Sequence, residues 1–518
     1  MKQDPVSFFS SNAAPRLAAC LLFAAGAALL LLNLGDGSLY PWDESLSAMR
    51  AWYMYSDGIS LTVRTYGEPD FNKPPLYYWM AAGMYHLLGP GLSALRLPGA
   101  LFAFGCCWIV YCLGKRTTNS SWAACFALAC LALNPHWLNF ARLGKLEAVV
   151  AFSIASAVLW GCFASRRHSP AGGIVLALLL GIGAWVKHPF FGLLIPVFYL
   201  YWRVCDKAER PAVPFFWASA TFLLVGMGWY AVSLCLWGKE FWNFYFEYNV
   251  ARRMVHGIEG HSESFFFLIK AAFAYGPFTF LCFLASLPAL AATWKSNGRR
   301  AALLVALAWM FLLLVSCMVG KRKIYIVAWY PLASASAAFG AYWLWGVLEK
   351  WLDRRPGAPF SATVHRAAHT PKWLFRICAA MFLYAAVLTG VTYRITPDHS
   401  PRESSVYRAL QQQISEDAVV ISNVDAPAVL LFELGRTHDR VTVTGTVDAA
   451  FMASVLRQAA SGAEVGLVIE EDKKAPDAYG ALLQRAAAEF PEAAVIPVAS
   501  NGLFWAVRLE PAPAVPAR

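Results

Sequence analysis

Long apolar runs recur along the first three quarters of this chain, and they constrain its fold more than any other feature. The runs are roughly 17–24 residues long, which is enough for a helix to cross a hydrocarbon core of about 30 Å. Lipid offers no partners for backbone N–H and C=O groups, so each crossing has to be helical. Since 58 % of the 518 residues are hydrophobic and only 14 % are charged, the sequence predicts an α-helical polytopic membrane protein.

The number of runs predicts about 11–13 transmembrane helices. The first run, Leu17–Leu34, is longer than the apolar region of a signal peptide, which is about 7–15 residues, and we interpret it as an uncleaved helix. The other runs are Ala94–Leu113, Trp122–Trp137, Leu146–Ala164, Ala171–Val186, Pro189–Val204, Phe215–Leu236, Phe265–Ala292, Ala301–Met318, Ile324–Val347 and Trp373–Val391.

The distribution of Lys and Arg among the short loops predicts the orientation of the chain, because these residues collect on the cytoplasmic side. The N-terminus is then cytoplasmic, and the loops 35–93 and 237–264 face outward. The loops that carry the cytoplasmic excess contain Lys115 and Arg116, Arg166 and Arg167, Arg203, Lys207 and Arg210, Lys295, Arg299 and Arg300, and the cluster from Lys350 to Lys372.

The composition changes after the last apolar run, which divides the chain into a transmembrane domain, 1–393, and a C-terminal domain, 394–518. Strand-like runs alternate there with helix-like runs, a pattern typical of a small α/β domain on the exterior side. The strand-like runs read AVVISNV, RVTVTG, EVGLVIEE, AAVIPVAS and LFWAVRL.

The formal net charge of +11 is mostly explained by this topology, which argues against nucleic-acid binding. The 12 cysteines lie in or beside apolar runs, from Cys20 to Cys378, and none lies in a predicted exterior loop. Neither a disulfide framework nor a cysteine-based zinc site is therefore indicated.

Three acidic residues stand at the predicted outer face and are the candidate catalytic residues. Asp43 and Glu44 follow the first apolar run, and Glu147 lies at the start of the fourth. A carboxylate at this depth is costly unless it is paired or functional. One of them can remove a proton from an acceptor, while another orients the acceptor, holds a divalent cation or positions a cationic partner. Alternatively, Glu147 pairs with Arg142 or Lys145, and Asp43 caps a helix over 44–55.

Cations at the outer face are informative because topology disfavours them there. Each of them could reach lipid headgroups by snorkelling, but as a group they suit the capture of a phosphate or pyrophosphate by charge-assisted hydrogen bonds. The candidate phosphate-binding residues are Lys73, Lys187, Arg252, Arg253, Lys321, Lys323 and Tyr325.

A set of short motifs, in one order over roughly residues 1–345, resembles the bacterial polyprenyl-phosphate-sugar glycosyltransferases related to protein O-mannosyltransferases, and among these the lipid A aminoarabinose transferases. The motifs are PWDES, FNKPPLYYW, SALRLPGAL, YCLGKR, ARLGKLEAVVAF, KHP, GWY, EYNVARR and GKRKIYIVAWYP.

The resemblance implies the C-type glycosyltransferase fold with a periplasmic active site in the bacterial inner membrane. It implies that Asp43 acts in catalysis and that Glu147 assists. It also implies that a polyprenyl phosphate leaving group is held by a small set of residues, namely Lys73, Lys187, Arg252 or Arg253, and Tyr325.

Three positions depart from the aminoarabinose transferases. Asn72 stands where those enzymes usually have Glu, Leu46 where they have Arg, and Glu147 where they have Asp. The first change argues against a bound metal ion, and together they argue against the same donor sugar.

The function predicted on these grounds is transfer of a sugar from polyprenyl (undecaprenyl) phosphate to lipid A or a related envelope glycolipid. No cofactor is indicated with certainty, and a divalent cation is left open. Two alternatives are transfer to a protein Ser or Thr, and transport of a lipid-linked sugar. A transporter should carry ionisable residues near helix midpoints and often an internal repeat, whereas the charges here cluster at one face.

Overall fold

The protein is represented by a computed structural model that describes residues 13–353, apart from 38, 41–42 and 253–262. Beyond 353 it describes shorter stretches, mainly 409–415, 418–422, 441–443, 464–470, 493–500 and 504–511.

Most of the described residues between 13 and 353 are helical. The helices α1 to α8 are Ala13–Leu31, Asp43–Ser56, Leu76–Leu88, Leu92–Thr118, Ser121–Ala132, Pro135–Ala141, Glu147–Phe163 and Pro170–Val186. The helices α9 to α16 are Leu194–Val204, Ala212–Thr221, Gly228–Trp242, Phe267–Tyr275, Pro277–Leu284, Ser286–Thr293, Arg299–Cys317 and Tyr330–Asp353. Short 3₁₀ segments, Pro189–Leu193 and Lys323–Trp329, precede α9 and α16, and π-helical segments, Phe222–Gly226, Asn243–Arg252 and Trp294–Gly298, adjoin α10, α11 and α14.

The membrane-spanning character of the chain rests on these helices. In the described part, five helices are long and apolar enough to cross a membrane, and seven if each of two bent pairs is one span. Every apolar run before residue 353 coincides with one or more helices, three of which are apolar but only 10–17 residues long. The last predicted run, Trp373–Val391, lies outside the described residues. The chain is thus a multi-pass membrane protein, and the total of 11–13 crossings stays a prediction.

The bend between α5 and α6 brings a short helix to one end of the bundle. Asn134 caps α6 by accepting the Trp137 backbone N–H at 2.9 Å, and Pro135 occupies the first helical position. Proline suits that position because its missing N–H would have no intrahelical partner. The two helices meet at 61°, so the chain turns along the end of the bundle before α7 begins.

Small residues allow several helices to pack with their backbones in near contact, as is usual where the solvent is lipid. A Cβ atom added at Gly173 of α8 would lie 2.3 Å from the Pro214 carbonyl oxygen of α10. One added at Gly340 of α16 would lie 2.2 Å from the Cys282 carbonyl oxygen of α13. These two glycines therefore set the distance between neighbouring helices.

A two-stranded antiparallel hairpin lies between α2 and α3. Its strands are β1, Arg64–Thr65, and β2, Glu68–Pro69. The turn between them has two residues in the left-handed region, Tyr66 and Gly67, with φ of 54° and 84°. Such a pair is typical of the tight turns that suit a hairpin.

The described strands after residue 353 form a five-stranded mixed sheet. Its strands lie at the five strand-like runs of the sequence: β3 Val419–Ser422, β4 Val441–Val443, β5 Val465–Glu470, β6 Ala493–Ser500 and β7 Phe504–Pro511. The order is β4-β3-β5-β7-β6, parallel for β4, β3 and β5 and antiparallel for the rest. The parallel pairs need crossover connections rather than tight turns.

We predict that Gly340→Ala destabilises the protein by about 1–3 kcal/mol, because the added methyl group forces α16 away from α13. Gly346→Ala is the control on the same helix, since a Cβ atom there meets nothing within 4 Å. It should be neutral or slightly stabilising, because Ala favours helix over Gly by up to about 1 kcal/mol. Unfolding of the two purified variants in detergent would measure this, and equal effects would contradict the packing argument.

Candidate active site

The buried ion pair between Glu44 and Arg96 fixes the start of α2 to α4. The Glu44 side chain is fully buried, and Arg96 donates to both its oxygens, Nε to Oε1 at 2.7 Å and Nη2 to Oε2 at 3.0 Å. Arg96 also donates through Nη1 to the carbonyl oxygens of Leu34 and Asp36, at 3.1 and 2.9 Å. The pair is bidentate and has additional hydrogen bonds, which is the geometry a buried pair needs to offset its desolvation.

Glu44 also holds the loop 142–146, which leads into α7. Its Oε1 accepts the backbone N–H of Gly144 at 2.6 Å, and its Oε2 accepts that of Tyr40 at 2.7 Å. A Cβ atom at Gly144 would lie 2.6 Å from Leu95 and 3.2 Å from Glu44 itself. Only glycine fits in the space between these two side chains, so loop 142–146 packs directly against the first turn of α2.

Arg142 provides a second tether for the same loop. Its guanidinium donates to three carbonyl oxygens at the C-terminal end of α1, those of Leu29 at 2.9 Å, Leu32 at 2.5 Å and Asn33 at 3.2 Å. A cation at this position satisfies the carbonyls that end a helix without partners. The pairing of Arg142 with Glu147 that the sequence left open is therefore absent among the contacts the structure describes.

Asp43 lies between two cations from different elements. Lys145 Nζ, in loop 142–146, and Arg322 Nη1, before the 3₁₀ segment Lys323–Trp329, each lie 3.8 Å from Asp43 Oδ2. The Asp43 side chain is 49 % exposed, whereas that of Lys145 is 3 % exposed. Asp43 is the first residue of α2, at the start of the helix predicted over 44–55. Its carbonyl oxygen accepts a hydrogen bond from the Ser47 hydroxyl at 2.8 Å.

Glu147 pairs with Lys187 across α7 and α8. Lys187 Nζ lies 3.2 Å from Glu147 Oε1, and both side chains are mostly buried. The same ammonium lies 5.4 Å from the centroid of the Tyr325 ring, within the range of a cation–π interaction. Three predicted site residues are therefore brought together.

These contacts join into a closed set that we term the charge ring. Arg322, Asp43 and Lys145 form one half, and Glu147, Lys187 and Tyr325 the other. The halves are joined along the chain, at one side by residues 145–147 and at the other by the 322–325 turn, where the Tyr325 N–H donates to the Arg322 carbonyl at 3.0 Å. Basic and acidic groups alternate from Arg322 round to Lys187, and the neutral Tyr325 lies between these two cations. The ring lies at one end of the helical bundle.

The loop that carries Lys73 is fixed by a second buried ion pair. Arg50 of α2 contacts Asp70 Oδ2 at 2.5 Å, and both side chains are under 10 % exposed. Asp70 also accepts the Asn72 backbone N–H at 2.8 Å and the Thr65 hydroxyl. Burial alone would raise the pKa of Asp70, but Arg50 and these donors hold it below its ordinary value. The loop around Lys73 is thereby attached to the same helix that carries Asp43.

An aromatic cluster connects Lys187 to the segment that ends at Arg252. The Tyr245 hydroxyl donates to the Lys187 carbonyl at 3.0 Å and lies 3.2 Å from His188 Nδ1. The buried members of the cluster are Phe71, Trp229, Tyr230, Phe241 and Tyr245. The cluster thus places the helical segment 243–252 beside the loop 70–75 and the Lys187 backbone.

The remaining predicted phosphate-binding residues differ in their surroundings. The buried Lys321 ammonium donates to the carbonyl oxygens of Ser316 and Met318, both at 2.6 Å, which makes it a cap for the end of α15. Lys323 is exposed and lies 6.0 Å from the Tyr275 ring centroid. Arg252 is 59 % exposed and lies 3.4 Å from Glu247. Arg253 lies outside the described residues.

The described residues do not fit a divalent cation. Among them, no group of three or more His, Cys, Asp or Glu side chains is close enough to hold one. The acids of the charge ring face ammonium and guanidinium groups rather than each other, and Asn72 contributes its backbone N–H to Asp70. We therefore derive no step through a metal ion.

The sequence identifies the acidic residues of the site but not the cations that pair with them. It offered Lys145 as an alternative partner of Glu147, but it did not pair Lys145 or Arg322 with Asp43. It did not identify Arg96, although a cation inside the run that becomes α4 must find a buried partner. That partner, Glu44, was assigned to catalysis, whereas its oxygens are already bonded to Arg96, Gly144 and Tyr40.

Comparison with known proteins confirms the resemblance. The family model for dolichyl-phosphate-mannose-protein mannosyltransferases matches residues 72–230. A protein of Aquifex aeolicus is 25 % identical over 309 residues, 58 % of this chain and 60 % of that protein. An undecaprenyl phosphate-alpha-4-amino-4-deoxy-L-arabinose arabinosyl transferase of Pseudomonas fluorescens is 26 % identical over 365 residues, 68 % of this chain and 61 % of that protein. The chain thus matches about three fifths of the length of these relatives.

Solved structures identify the fold. ArnT from Cupriavidus metallidurans bound to undecaprenyl phosphate superimposes with a TM-score of 0.68 at 16 % identity, over 96 % of this chain and 98 % of that one. The archaeal oligosaccharyltransferase AglB from Archaeoglobus fulgidus gives a TM-score of 0.56 at 13 % identity, over 95 % and 74 %. The protein therefore has the C-type glycosyltransferase fold, and the predicted fold class is confirmed.

We predict that Glu44→Gln lowers the free energy of unfolding by roughly 3–5 kcal/mol at pH 7, because Arg96 is left buried without a counter-ion. Burial alone would raise the pKa of Glu44, but Arg96 and the N–H groups of Gly144 and Tyr40 hold it below its ordinary value. A depressed pKa contributes stability above the unfolded-state pKa and loses it as the pH falls through the folded-state pKa.

The difference between wild type and Glu44→Gln should therefore be full at pH 7 and shrink below about pH 4.5. Denaturant titration in detergent at several pH values measures it. The exposed Glu240→Gln serves as the control and should change stability little at any pH. A difference for Glu44→Gln that stays constant on acidification would contradict the assigned pair.

Proposed function

We propose that this multi-pass membrane protein, similar in sequence and fold to polyprenyl-phosphate-sugar glycosyltransferases, transfers a sugar from polyprenyl phosphate to lipid A or a related envelope glycolipid. The observation that carries the proposal is the charge ring, where two carboxylates and their cations meet at one end of the bundle. Such an arrangement suits a reaction in which an anionic group leaves while an acceptor loses a proton. We place the reaction at the periplasmic face of the bacterial inner membrane, on the orientation expected from the Lys and Arg distribution.

On the donor side, Lys187 and Tyr325 hold the phosphate. The bond between the sugar's anomeric carbon and the phosphate oxygen breaks, and its electron pair leaves with the polyprenyl phosphate. The charge that develops on that oxygen is stabilised by a cation already in position in a partly desolvated site, which is typically the largest catalytic contribution. Lys187 is kept in place by Glu147 and, through its carbonyl, by Tyr245. Lys73, Arg252 and Arg253 extend the same phosphate-binding surface in this proposal.

On the acceptor side, Asp43 is the general base. It takes the proton from the acceptor oxygen as that oxygen forms its bond to the anomeric carbon, so that one bond forms and one breaks in a direct displacement. Its 49 % exposure leaves it accessible to an acceptor, in contrast to the fully buried Glu44. We therefore reassign Glu44 to a structural role and retain Glu147 as the residue that positions Lys187.

The acceptor and the outer domain are further parts of the proposal. Lipid A as the acceptor is supported by the resemblance of the ordered motifs to the lipid A aminoarabinose transferases, and the undecaprenyl phosphate donor by the similarity to an undecaprenyl phosphate-alpha-4-amino-4-deoxy-L-arabinose arabinosyl transferase. The acceptor rests on this resemblance and not on the fold, because a shared fold does not imply a shared function. The domain 394–518 is proposed to lie in the periplasm beside the acceptor.

We predict that cells carrying the Asp43→Asn variant produce lipid A without the added sugar, as do cells without the gene. Removal of the base should lower transfer by about 10²–10⁴-fold. Mass spectrometry of lipid A reads out the loss, and the missing mass identifies the sugar class. Asp57→Asn is the control, because the exposed Asp57 carboxylate contacts Arg64 and the Ser56 hydroxyl, neither of which belongs to the charge ring. Unchanged lipid A in all strains would contradict a lipid A acceptor and favour a protein or another glycan.

We predict that Lys187→Ala and Tyr325→Phe weaken binding of undecaprenyl phosphate to the purified protein, whereas Asp43→Asn leaves it nearly unchanged. The reason is that the first two residues contact the leaving phosphate and Asp43 faces the acceptor. Titration of detergent-solubilised variants with undecaprenyl phosphate measures the Kd. Lys239→Ala, an exposed lysine outside the charge ring, is the matched control. Equal losses in the Asp43 and Lys187 variants would contradict this division of roles.

A further inference from the structure

The two cations that contact Asp43 differ in burial, and the difference separates their roles. Lys145 and Arg322 lie at the same distance, 3.8 Å, from the same oxygen, Oδ2. The side chain of Arg322 is 34 % exposed and that of Lys145 only 3 %. Water screens both interactions at the half-exposed Asp43 carboxylate, and it screens the Arg322 interaction more because that side chain is also exposed. Lys145 therefore interacts more strongly with the Asp43 carboxylate.

Lys145 is also the more rigidly held of the two. Its ammonium lies 4.0 Å from the centroid of the Tyr40 ring and 5.0 Å from that of Phe140. Its backbone belongs to loop 142–146, whose neighbours Arg142 and Gly144 are bonded to α1 and to Glu44. A Cβ atom at Gly99 of α4 would lie 3.3 to 3.7 Å from three carbonyl oxygens of residues 141, 143 and 145. The loop thus rests directly on the α4 backbone.

We propose that Lys145 is a positioning residue that holds the Asp43 carboxylate in the orientation needed to take the acceptor proton. It contacts Oδ2, so that Oδ1 is the oxygen that receives the proton. Lys145 touches neither substrate nor leaving group in this arrangement and acts through Asp43. The inference rests on the proposed transfer reaction and goes beyond it, because it names the residue that links the base to the rest of the fold.

The arrangement also makes the two residues depend on each other for stability. A buried ammonium without a counter-ion is costly, and the two aromatic rings compensate it only in part. Replacing Asp43 alone should therefore lower stability as well as activity. Replacing both residues removes the uncompensated charge, so the two effects should not add.

The experiment compares Lys145→Met, Asp43→Asn and the double variant with wild type. Methionine keeps an unbranched side chain of similar length among the same rings and removes the charge. Lys145→Met should lower the rate of sugar transfer to lipid A at least about tenfold, the scale expected when a reacting group is misplaced. Its Kd for undecaprenyl phosphate should stay within about twofold of wild type. Lys239→Met, at an exposed site, is the matched control and should match wild type in both.

The stability measurement is a thermal unfolding cycle on the same proteins in detergent. Asp43→Asn should lower the midpoint, and adding Lys145→Met to it should raise the midpoint again. Wild-type transfer by Lys145→Met would overturn the inference, as would parallel losses of transfer, undecaprenyl phosphate binding and thermal stability. If wild type itself shows no transfer, the proposed function fails. The unfolding cycle then tests separately whether Lys145 and Asp43 depend on each other for stability. Non-additive midpoints support the link between Asp43 and Lys145, and additive midpoints overturn it.

Discussion

The buried ion pair between Glu44 and Arg96 is the interaction on which the rest of the site depends. It fixes the first turn of α2, and with it Asp43, against α4. The same carboxylate accepts the Gly144 N–H, which fixes the loop that carries Lys145 and leads to Glu147. One buried group thus sets the relative positions of three elements that are separated by up to about 100 residues in sequence. A pair this deeply buried contributes little net stability compared with apolar packing, but it allows only one arrangement of its partners.

The charge ring is a consequence of that arrangement. Its cations and carboxylates come from four separate parts of the chain, yet each lies within salt-bridge or cation–π distance of the next along each half. Groups held in this way need little reorganisation when charge moves from an acceptor to a leaving phosphate, which is the physical basis of electrostatic catalysis. The half that contains Asp43 is more open, and the half that contains Lys187 is more enclosed. This asymmetry is consistent with a water-exposed acceptor side and a desolvated donor side.

The aromatic cluster around Tyr245 gives the enclosed half its support. Phe71 of the loop 70–75 packs against Phe241, and Tyr245 bonds to the Lys187 carbonyl. Aromatic side chains suit this position because they bury a large area while the tyrosine hydroxyl satisfies a carbonyl at the end of a helix. The helix α8 ends at Val186, so the Lys187 carbonyl needs such a partner. Residues far apart in sequence therefore converge on the backbone of one site lysine.

The apolar runs determined by themselves that this chain is a helical membrane protein, because only helices satisfy backbone groups in lipid. The alternation of five strand-like runs determined the five strands of the C-terminal sheet, and the ordered motifs around Asp43, Glu147, Lys187 and Tyr325 indicated the fold family and the candidate site. Only the tertiary structure decided which charges meet. From sequence, Glu147 had Arg142 and Lys145 as its nearest partners, and Lys321 looked equivalent to Lys187. In the folded chain Arg142 and Lys321 bind carbonyl oxygens at helix ends. Lys145 contacts Asp43, and Glu147 contacts Lys187, which follows the last residue of α8. A side chain's hydrogen-bond partner depends on distances between elements far apart in the chain, and no local pattern of residues records those distances.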